Sequence, residues 1–385
     1  MPSVHDQNTP QAPPKRRIVL VHDWLVARRG GEAVLEHIAR VVRREHELIA
    51  ALTMFDSAAR IGDTIDRTPH HASFLNRLPF SRRARRWLLP LYPLAVAHLA
   101  RKLRNISDER GVDLVISTSS AAAKAIKPPP GVPHLCYCHS PPRYVWAPAH
   151  EHAGGARGLG LTLIGPLYRN WDKAVCPRVS EFIANSSHIA ARIRDCYARE
   201  SIVIHPPVDT AYYSYDPRVA RTDRWLCVGA LEPYKRFDLA IKAAQHAGRE
   251  LDLVGTGSCE RALRALAKND PRIRFQGHVS KEDLRELYRT AAALLFPQVE
   301  DFGIVAAEAI SCGCPVAANA EGGARDILTP NVSGVLVRDP SAESLAQAAA
   351  TAEALAGAEC ARDAQRFDAD RFESRIAEQI SRLLR

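Results

Sequence analysis

The chain has 385 residues, of which 46% are hydrophobic and 25% are charged. This length is enough for two ordinary domains, and the apolar content excludes a chain that is disordered throughout. The longest apolar runs fall short of the roughly 18 residues that a transmembrane helix needs, so we expect none. Residues 1–15 are polar and contain prolines, so we expect a disordered start without a secretory signal. With nine cysteines and no such signal, we expect a soluble cytoplasmic protein with reduced thiols.

Charge is divided unevenly along the chain, whose formal net charge is +9. Of the 52 Lys and Arg residues, 29 lie in residues 1–200, together with only 17 of the 43 Asp and Glu residues. The rest of the chain is slightly acidic. This asymmetry suggests two domains, of which the first meets an anionic partner such as a nucleic acid, a membrane face or a phosphorylated substrate.

In the first half of the chain, short apolar runs alternate with helical patterns. A helix is predicted over 32–44, after a turn that contains Gly30 and Gly31. Such alternation is typical of a parallel sheet with crossover helices. The predicted strands are 17–22, 112–117, 134–138, 182–185 and 202–205.

The segment 205–217 breaks both periodicities and is predicted to be a linker, after which the alternation restarts. We therefore predict an α/β protein with two facing, doubly wound domains, 16–205 and 206–367, and a final helix over 368–385 that completes the first domain. Ligands bind beyond the carboxyl ends of the strands in such sheets. The predicted strands of the second domain are 225–229, 251–255, 273–277, 293–297, 316–319 and 334–337, and its helices are 237–247, 259–267, 281–291, 303–311 and 342–356.

The stretch 298–308 follows an apolar strand and opens a helix. Free N–H groups around Gly303 can donate to the oxygens of a ligand, and the helix dipole favours anions there. Glu300 and Glu308 are too far apart to lie side by side on a helix, so they could hold two parts of one elongated ligand. Two solvated glutamates are the alternative, but the small, uncharged residues 309–315 indicate burial.

These motifs resemble the signature of retaining GT-B glycosyltransferases of the GT4 class, over about residues 17–380. The run through His139 is most similar to bacterial GT4 mannosyltransferases of surface-polysaccharide assembly. The resemblance rests on the two glutamates around 301–303 and on the motifs at 29–32, 137–144, 185–187, 233–236 and 322–323.

The resemblance implies a role for each matching residue. Glu300 would lie against the donor sugar and Glu308 would bind the ribose hydroxyls, as a carboxylate can accept two hydrogen bonds from a diol. Lys235 would neutralise the departing diphosphate with Arg236 as a possible helper, and the alternative for both, a solvated helix start, is less favoured in this context. The backbone amides of three residues would meet the sugar hydroxyls: Phe302, Gly303 and Ile304.

Further residues are expected around the donor. His139 would touch the sugar, although a lone histidine is more often structural. Gly30 and Gly31 before a helix form a phosphate-cradle pattern, although a Gly-Gly pair is more often only a turn. Four residues would line the nucleotide pocket, namely Gly255, Gly257, His278 and Val279. The glycine pattern lacks the third glycine of a dinucleotide fingerprint, which disfavours a dehydrogenase.

One position departs from the family pattern. The family usually has Arg five residues before the lysine, and Ala230 stands there. A second phosphate-binding cation is therefore missing, or it comes from Arg236 or from the first domain.

No metal site is expected. The Cys136–Cys138 and Cys312–Cys314 pairs lack the usual zinc spacing, so buried reduced thiols are the better interpretation. The Asp-x-Asp at 368–370 lies in a helical stretch near the C-terminus and is interpreted as surface charge.

Residues 73–104 carry eight basic side chains and no acidic one, interleaved with bulky apolar residues that include Trp87 and Tyr92. This composition suits an anionic membrane surface. An ordinary basic helix over core residues is an equal alternative. Nucleic acid is not expected, because no recognition motif accompanies the segment.

We therefore predict a retaining transfer of a hexose, mannose from GDP-mannose, to a lipid-linked saccharide acceptor in the assembly of exopolysaccharide, O-antigen or a related glycan. The nucleotide sugar is a co-substrate and no cofactor is expected. The enzyme would be cytoplasmic and peripheral on the inner face of the membrane. The alternatives are a catalytically silent GT-B scaffold, which Ala230 favours, and a nucleotide-sugar epimerase of the same fold.

Overall fold

A computed structural model describes residues 15–79, 85, 87–146 and 156–385, with the side chains of 156–163 left out. The expected disordered start lies almost wholly outside these residues. Two parallel sheets organise the described chain, one of seven strands and one of six. The two facing α/β domains predicted from the sequence are thus confirmed.

The first sheet has the strand order β3-β2-β1-β4-β5-β6-β7. Its strands are nearly continuous apolar runs, because helices cover both faces of a parallel sheet. The first strand in the chain, which lies in the interior of the sheet, carries Ile18, Val19, Leu20 and Val21, all of which are buried. The strands are β1 (Arg17–Leu25), β2 (Glu47–Asp56), β3 (His70–Ala72), β4 (Leu114–Ser119), β5 (His134–Cys138), β6 (Glu181–Ala184) and β7 (Ser201–Val203).

Helices of the first domain lie on either side of this sheet. In the first of them, Val34, Leu35 and Ile38 follow a helical spacing and are buried against the sheet. The helices are α1 (Gly30–Glu45), α2 (Asp63–Asp66), α3 (Tyr92–Arg110), α4 (Arg143–Trp146), α5 (Ala156–Ala174) and α6 (Ser187–Tyr197).

The second domain repeats this plan with the strand order β10-β9-β8-β11-β12-β13. Its strands are β8 (Trp225–Val228), β9 (Leu251–Val254), β10 (Ile273–Gly277), β11 (Ala293–Phe296), β12 (Val316–Asn319) and β13 (Gly334–Val337). Its helices are α7 (Phe237–Ala247), α8 (Glu260–Ala267), α9 (Lys281–Thr290), α10 (Ile304–Ser311), α11 (Ala324–Ile327), α12 (Ala342–Glu353) and α13 (Gly357–Ala364).

A last helix, α14 (Ala369–Leu383), returns to the first domain. Phe372 and Ile376 join the core that contains Ile18, and Glu373 pairs with His37 of α1 at 2.8 Å. The Asp-x-Asp at 368–370 is the start of this helix rather than free surface charge, because the Asp368 carboxylate accepts from the N–H of residue 370 at 2.9 Å.

The chain passes between the domains twice, and the two passages touch. Val208, in the outward linker, donates its N–H to the carbonyl of Phe367 at 2.9 Å and forms a β-bridge with Asp368. Thr210 also donates its hydroxyl to the Asp368 carboxylate. The linker is therefore tied to the return segment rather than loose.

The basic segment 73–104 is only partly described, because residues 80–84 and 86 lie outside the described chain. Five of its apolar residues are buried in the core of the first domain: Leu75, Leu89, Tyr92, Leu99 and Leu103. The basic side chains of Arg101 and Arg104 on α3 face solvent. Many of its bulky apolar residues are thus ordinary core. No helix within the described ranges has the length and apolarity to cross a membrane.

Candidate functional site

The site lies where the carboxyl ends of both sheets meet, at the loop between β11 and α10. Arg143, at the start of α4 in the first domain, binds Asp301 of the second domain with its Nε at 3.0 Å and its Nη2 at 2.6 Å. Ser186 donates its hydroxyl to the carbonyl of the same aspartate. Two elements of the first domain thus hold this loop across the cleft.

Glu300 lies between two cations that come from different domains. Lys235 donates to its Oε1, and Nη2 of Arg143 is 3.9 Å from its Oε2. Both side chains of the Lys235–Glu300 pair are largely buried, with 14% and 16% exposed. Burial alone lowers the pKa of Arg143, but Asp301 and Glu300 outweigh it, and the pKa ends above its usual range. The structure therefore brings Glu300 and Lys235 together, as both were predicted to lie in the site.

Glycines shape the loop that carries Glu300. Gly303 has φ +103° and begins α10, where a Cβ would lie 2.8 Å from the ring of Phe296. Gly323 donates its N–H to the carbonyl of Glu300 at 2.8 Å, and a Cβ on this glycine would meet the Phe302 carbonyl. The close approach of these backbones fixes the direction in which Glu300 points.

The three amide groups predicted to meet the sugar stand at this turn. Phe302 itself is buried and stacks on His205 with ring centroids 5.5 Å apart. Only its backbone N–H can therefore donate a hydrogen bond to the sugar. Gly303 and Ile304 start the helix, and the first N–H groups of a helix have no acceptor within it. The geometry thus fits the predicted amide contacts.

Glu308 lies farther along α10, where the hydroxyl of Tyr288 donates to its Oε2 at 3.3 Å. Burial raises the pKa of Glu308 to about 7, although this hydrogen bond and the charge of Lys281 act in the other direction. A carboxyl that is half protonated near neutral pH responds strongly to what binds it.

His139 follows the last residue of β5, next to the turn that contains Gly31. A Cβ on Gly31 would lie 3.6 Å from Nε2 of His139, and this nitrogen is buried with no hydrogen-bond partner among the described residues. Burial lowers the pKa of His139 to about 4, so the imidazole is neutral. A neutral imidazole with an unused ring nitrogen can exchange a hydrogen bond with a ligand hydroxyl.

The turn before α1 has a supporting layer of buried polar groups. Glu32 accepts from the N–H of Arg29 at 3.1 Å, and His22 binds Thr118 at 2.5 Å. Asp23, which no sequence motif indicated, accepts hydrogen bonds from the N–H groups of residues 120–123 at 2.6–2.8 Å. Gly30 itself is exposed, and no atom lies within 4 Å of the place where a Cβ would stand.

The prediction of Arg236 as the helper of Lys235 does not fit the structure. Arg236 is exposed, has φ +53° and directs its Nε to Asp238 at 3.3 Å, along the first turn of α7. The second cation beside Glu300 is instead Arg143, which lies in the motif at 137–144 and had no predicted role. Ala230 is exposed and supplies no charge.

The remaining predicted residues lie at the ends of β9 and β10. A Cβ on Gly255 would stand 1.8 Å from the carbonyl of Gly229, and one on Gly257 would stand 2.5 Å from that of Leu231. Close packing of two backbones therefore already explains both glycines. The short segment after β10 holds the exposed His278 and the partly buried Val279, at the same edge of the sheet.

Metal-ligating side chains do not gather in threes anywhere within the described ranges. The predicted buried thiols are present, since Cys136, Cys138, Cys312 and Cys314 are buried and unpaired. Burial raises the pKa of Cys136 and Cys312 to about 12, so both stay protonated at neutral pH.

Two family profiles match the chain in succession. The profile of Glycosyltransferase Family 4 matches residues 28–212, and that of Glycosyl transferases group 1 matches residues 220–365. The chain belongs to the GT-B glycosyltransferases of this group 1 and family 4 type, which confirms the class predicted from the sequence.

Individual relatives are more distant. A D-inositol 3-phosphate glycosyltransferase of Geodermatophilus obscurus is 32% identical over 202 residues, which cover 44% of this chain and 45% of that protein. The match thus spans less than half of the relative. This relative does not support the narrower resemblance to mannosyltransferases of polysaccharide assembly.

Solved structures share the fold. Anabaena HepE in complex with UDP-glucose has a TM-score of 0.67 at 20% identity and covers 95% of this chain and 99% of its own. Sucrose-phosphate synthase from Thermosynechococcus elongatus has a TM-score of 0.74 at 18% identity, with coverages of 96% and 99%. At these identities the likeness establishes the fold alone.

Proposed function

We propose that this protein is a retaining glycosyltransferase that moves a hexose from a nucleotide sugar to a saccharide acceptor. The observation that carries the proposal is the convergence of Lys235 and Arg143 on Glu300 at the edge where both sheets end. In such an arrangement the two cations can bind the diphosphate, and the carboxylate can accept hydrogen bonds from the sugar.

Lys235 donates a hydrogen bond to Glu300 in this structure. A donor diphosphate competes with Glu300 for Lys235, and its arrival releases the carboxylate to accept hydrogen bonds from the sugar hydroxyls. As the bond between sugar and diphosphate breaks, negative charge grows on the leaving oxygen, and Lys235 stabilises it.

Arg143 supplies the second positive charge that Ala230 does not. It comes from the first domain and is bonded to Asp301 of the second, so its place beside Glu300 depends on the contact between the two domains. The amides at the start of α10 and the neutral His139 would then orient the sugar, and the acceptor would attack from the face that the diphosphate leaves. Catalysis here is positioning and electrostatics.

The donor we propose is GDP-mannose and the acceptor a lipid-linked saccharide in glycan assembly, at the cytoplasmic face of a membrane. The motif that runs through His139 supports the donor, and the basic character of the first domain supports an acceptor held at an anionic surface. The inositol phosphate and UDP-glucose named for relatives make the natural competing choices.

The test is incubation of the purified chain with GDP-mannose, UDP-glucose and other nucleotide sugars, each with water as the default acceptor and with a panel of saccharide acceptors, followed by chromatography of the released nucleotide. We expect GDP-mannose alone to release GDP and to raise the melting temperature. The Lys235→Ala variant is the negative control. Release from UDP-glucose instead would correct the donor, and silence with every nucleotide sugar and acceptor would leave a binding scaffold as the better interpretation.

A further inference from the structure

A cavity of about 320 Å³ opens on the surface of the first domain, between α3, the end of α5 and the segment that follows β4. It shares no lining residue with the cleft described above. Its apolar part comes from one face of α3 and from Trp171, and its basic part consists of four side chains, Arg101, Arg104, Lys127 and Arg178.

The positive charge of this cavity is not neutralised by the described part of the protein. Among the described residues that line it there is no acidic one, and none of the four cations forms an ion pair with another described residue. Arg178 donates to the carbonyl of Ala125 at 2.6 Å, which fixes its position. Burial lowers the pKa of this arginine, as expected where a guanidinium loses water without gaining a counter-charge.

Apolar side chains project beside the basic ones. Leu94 on α3 is 60% exposed and Leu167 on α5 is 72% exposed. Leu94, Ala97 and Arg101 are three and four residues apart, so they share one face of the helix, and Leu167 lies one turn before Trp171. Exposed leucines next to unpaired cations are typical of surfaces that enter the headgroup layer of a membrane.

We infer that this cavity binds the phosphate headgroup of an anionic lipid in a bilayer, while Leu94 and Leu167 enter the acyl boundary beside it. The guanidinium groups of arginine can donate two parallel hydrogen bonds to phosphate oxygens. Because the described lining contains no carboxylate, the positive charge of these side chains is available to an anionic lipid. The inference rests on the membrane location in the proposed function and deepens it, because it assigns the contact with the bilayer to α3 and α5.

The experiment is flotation of the full chain with vesicles of phosphatidylcholine, with and without a third of phosphatidylglycerol. The test variant combines Arg101→Gln, Arg104→Gln and Lys127→Gln, and the matched control combines Lys242→Gln, Arg261→Gln and Arg274→Gln in the second domain. All six side chains are exposed, so both variants should fold, which thermal unfolding checks.

We expect the parent to bind only the anionic vesicles and the test variant to bind them on the order of a hundredfold more weakly. The control should stay within about threefold of the parent, since its charges lie elsewhere. A Leu94→Ser, Leu167→Ser variant should also bind more weakly, which separates insertion from attraction at a distance.

Equal losses in the two triple variants would overturn the inference, as would a parent that ignores anionic vesicles. Stabilisation of the parent by inorganic phosphate without vesicle binding would assign the cavity to a free anion and also overturn it. Nucleotide release without vesicles, measured on the same proteins, reports on the transfer reaction independently.

Discussion

Lys235 donates a hydrogen bond to Glu300 across the carboxyl ends of neighbouring strands, although 65 residues separate them in the chain. The charge of Lys235 is therefore balanced within the site. A donor diphosphate that binds Lys235 has to compete with the Glu300 carboxylate.

The first prediction concerns Lys235. Because negative charge grows on the diphosphate as it leaves, Lys235→Ala should lower kcat by about 10²–10³, with a smaller effect on donor affinity. Arg236→Ala, whose side chain pairs with Asp238, should change kcat less than about threefold. Steady-state kinetics and donor titration check both. An effect on KM alone would mean that Lys235 binds ground state and transition state equally.

The second prediction concerns Arg143. If it acts as the missing second cation, Arg143→Ala should lower kcat/KM by roughly a hundredfold, about 2–3 kcal/mol, and Arg143→Lys should restore part of it. Asp301→Asn keeps the arginine but weakens its link between the domains. Equal losses of kcat/KM in Asp301→Asn and Arg143→Ala would mean that Arg143 only links the two domains and does not act on the substrate.

The third prediction follows from the pKa of Glu308, which burial raises to about 7. If the carboxylate form accepts hydrogen bonds from the ribose, donor affinity should fall as pH decreases through about 7, because protonation removes the acceptor. Calorimetric titration at about pH 6 and about pH 8 measures this. Glu308→Gln should bind more weakly at the higher pH and lose the pH dependence, whereas an unchanged profile would place Glu308 outside the site.

The fourth prediction separates two kinds of glycine. Gly255→Ala should cost on the order of 3 kcal/mol of unfolding free energy or more, because its Cβ would meet a carbonyl and its φ of +132° is strained for alanine. Gly30→Ala should leave stability within about 0.5 kcal/mol, because no atom lies within 4 Å of its Cβ.

The same Gly30→Ala variant tests the phosphate cradle. A methyl group at the open start of α1 should weaken donor binding while the melting temperature stays unchanged. Normal donor affinity in this stable variant would leave Gly30 as a plain turn residue.

Much of the sheet structure could be predicted from apolar runs bounded by turn residues, and 134–138 and 316–319 agree with β5 and β12 to the residue. Strand β2 was missed because its apolar run follows α1 after a single residue, without a turn signal between them, and its Ala, Leu and Met residues are as typical of a helix as of a strand. The third strand, of three half-buried residues, has too short a signal to stand out.

Site residues could be predicted where the side chain and the backbone features that position it lie in one contiguous motif, as for Glu300 and Gly303. Arg143 lies in the recognised motif at 137–144, but the sequence could not assign it a role, because its partner Asp301 is 158 residues away and belongs to another domain. Asp23 was missed for a similar reason, since the amides it binds lie about 100 residues along the chain.

The double passage between the domains has a mechanical consequence. Val208 is bonded to Phe367 and Thr210 is bonded to Asp368, so the two connections lie side by side, and we expect any opening of the cleft to be a rotation about them. A cut in the linker alone would leave the halves attached through the return segment. Removal of the chain from Ala369 onward would leave Phe367 and Asp368 in place but would take Phe372 and Ile376 out of the core of the first domain.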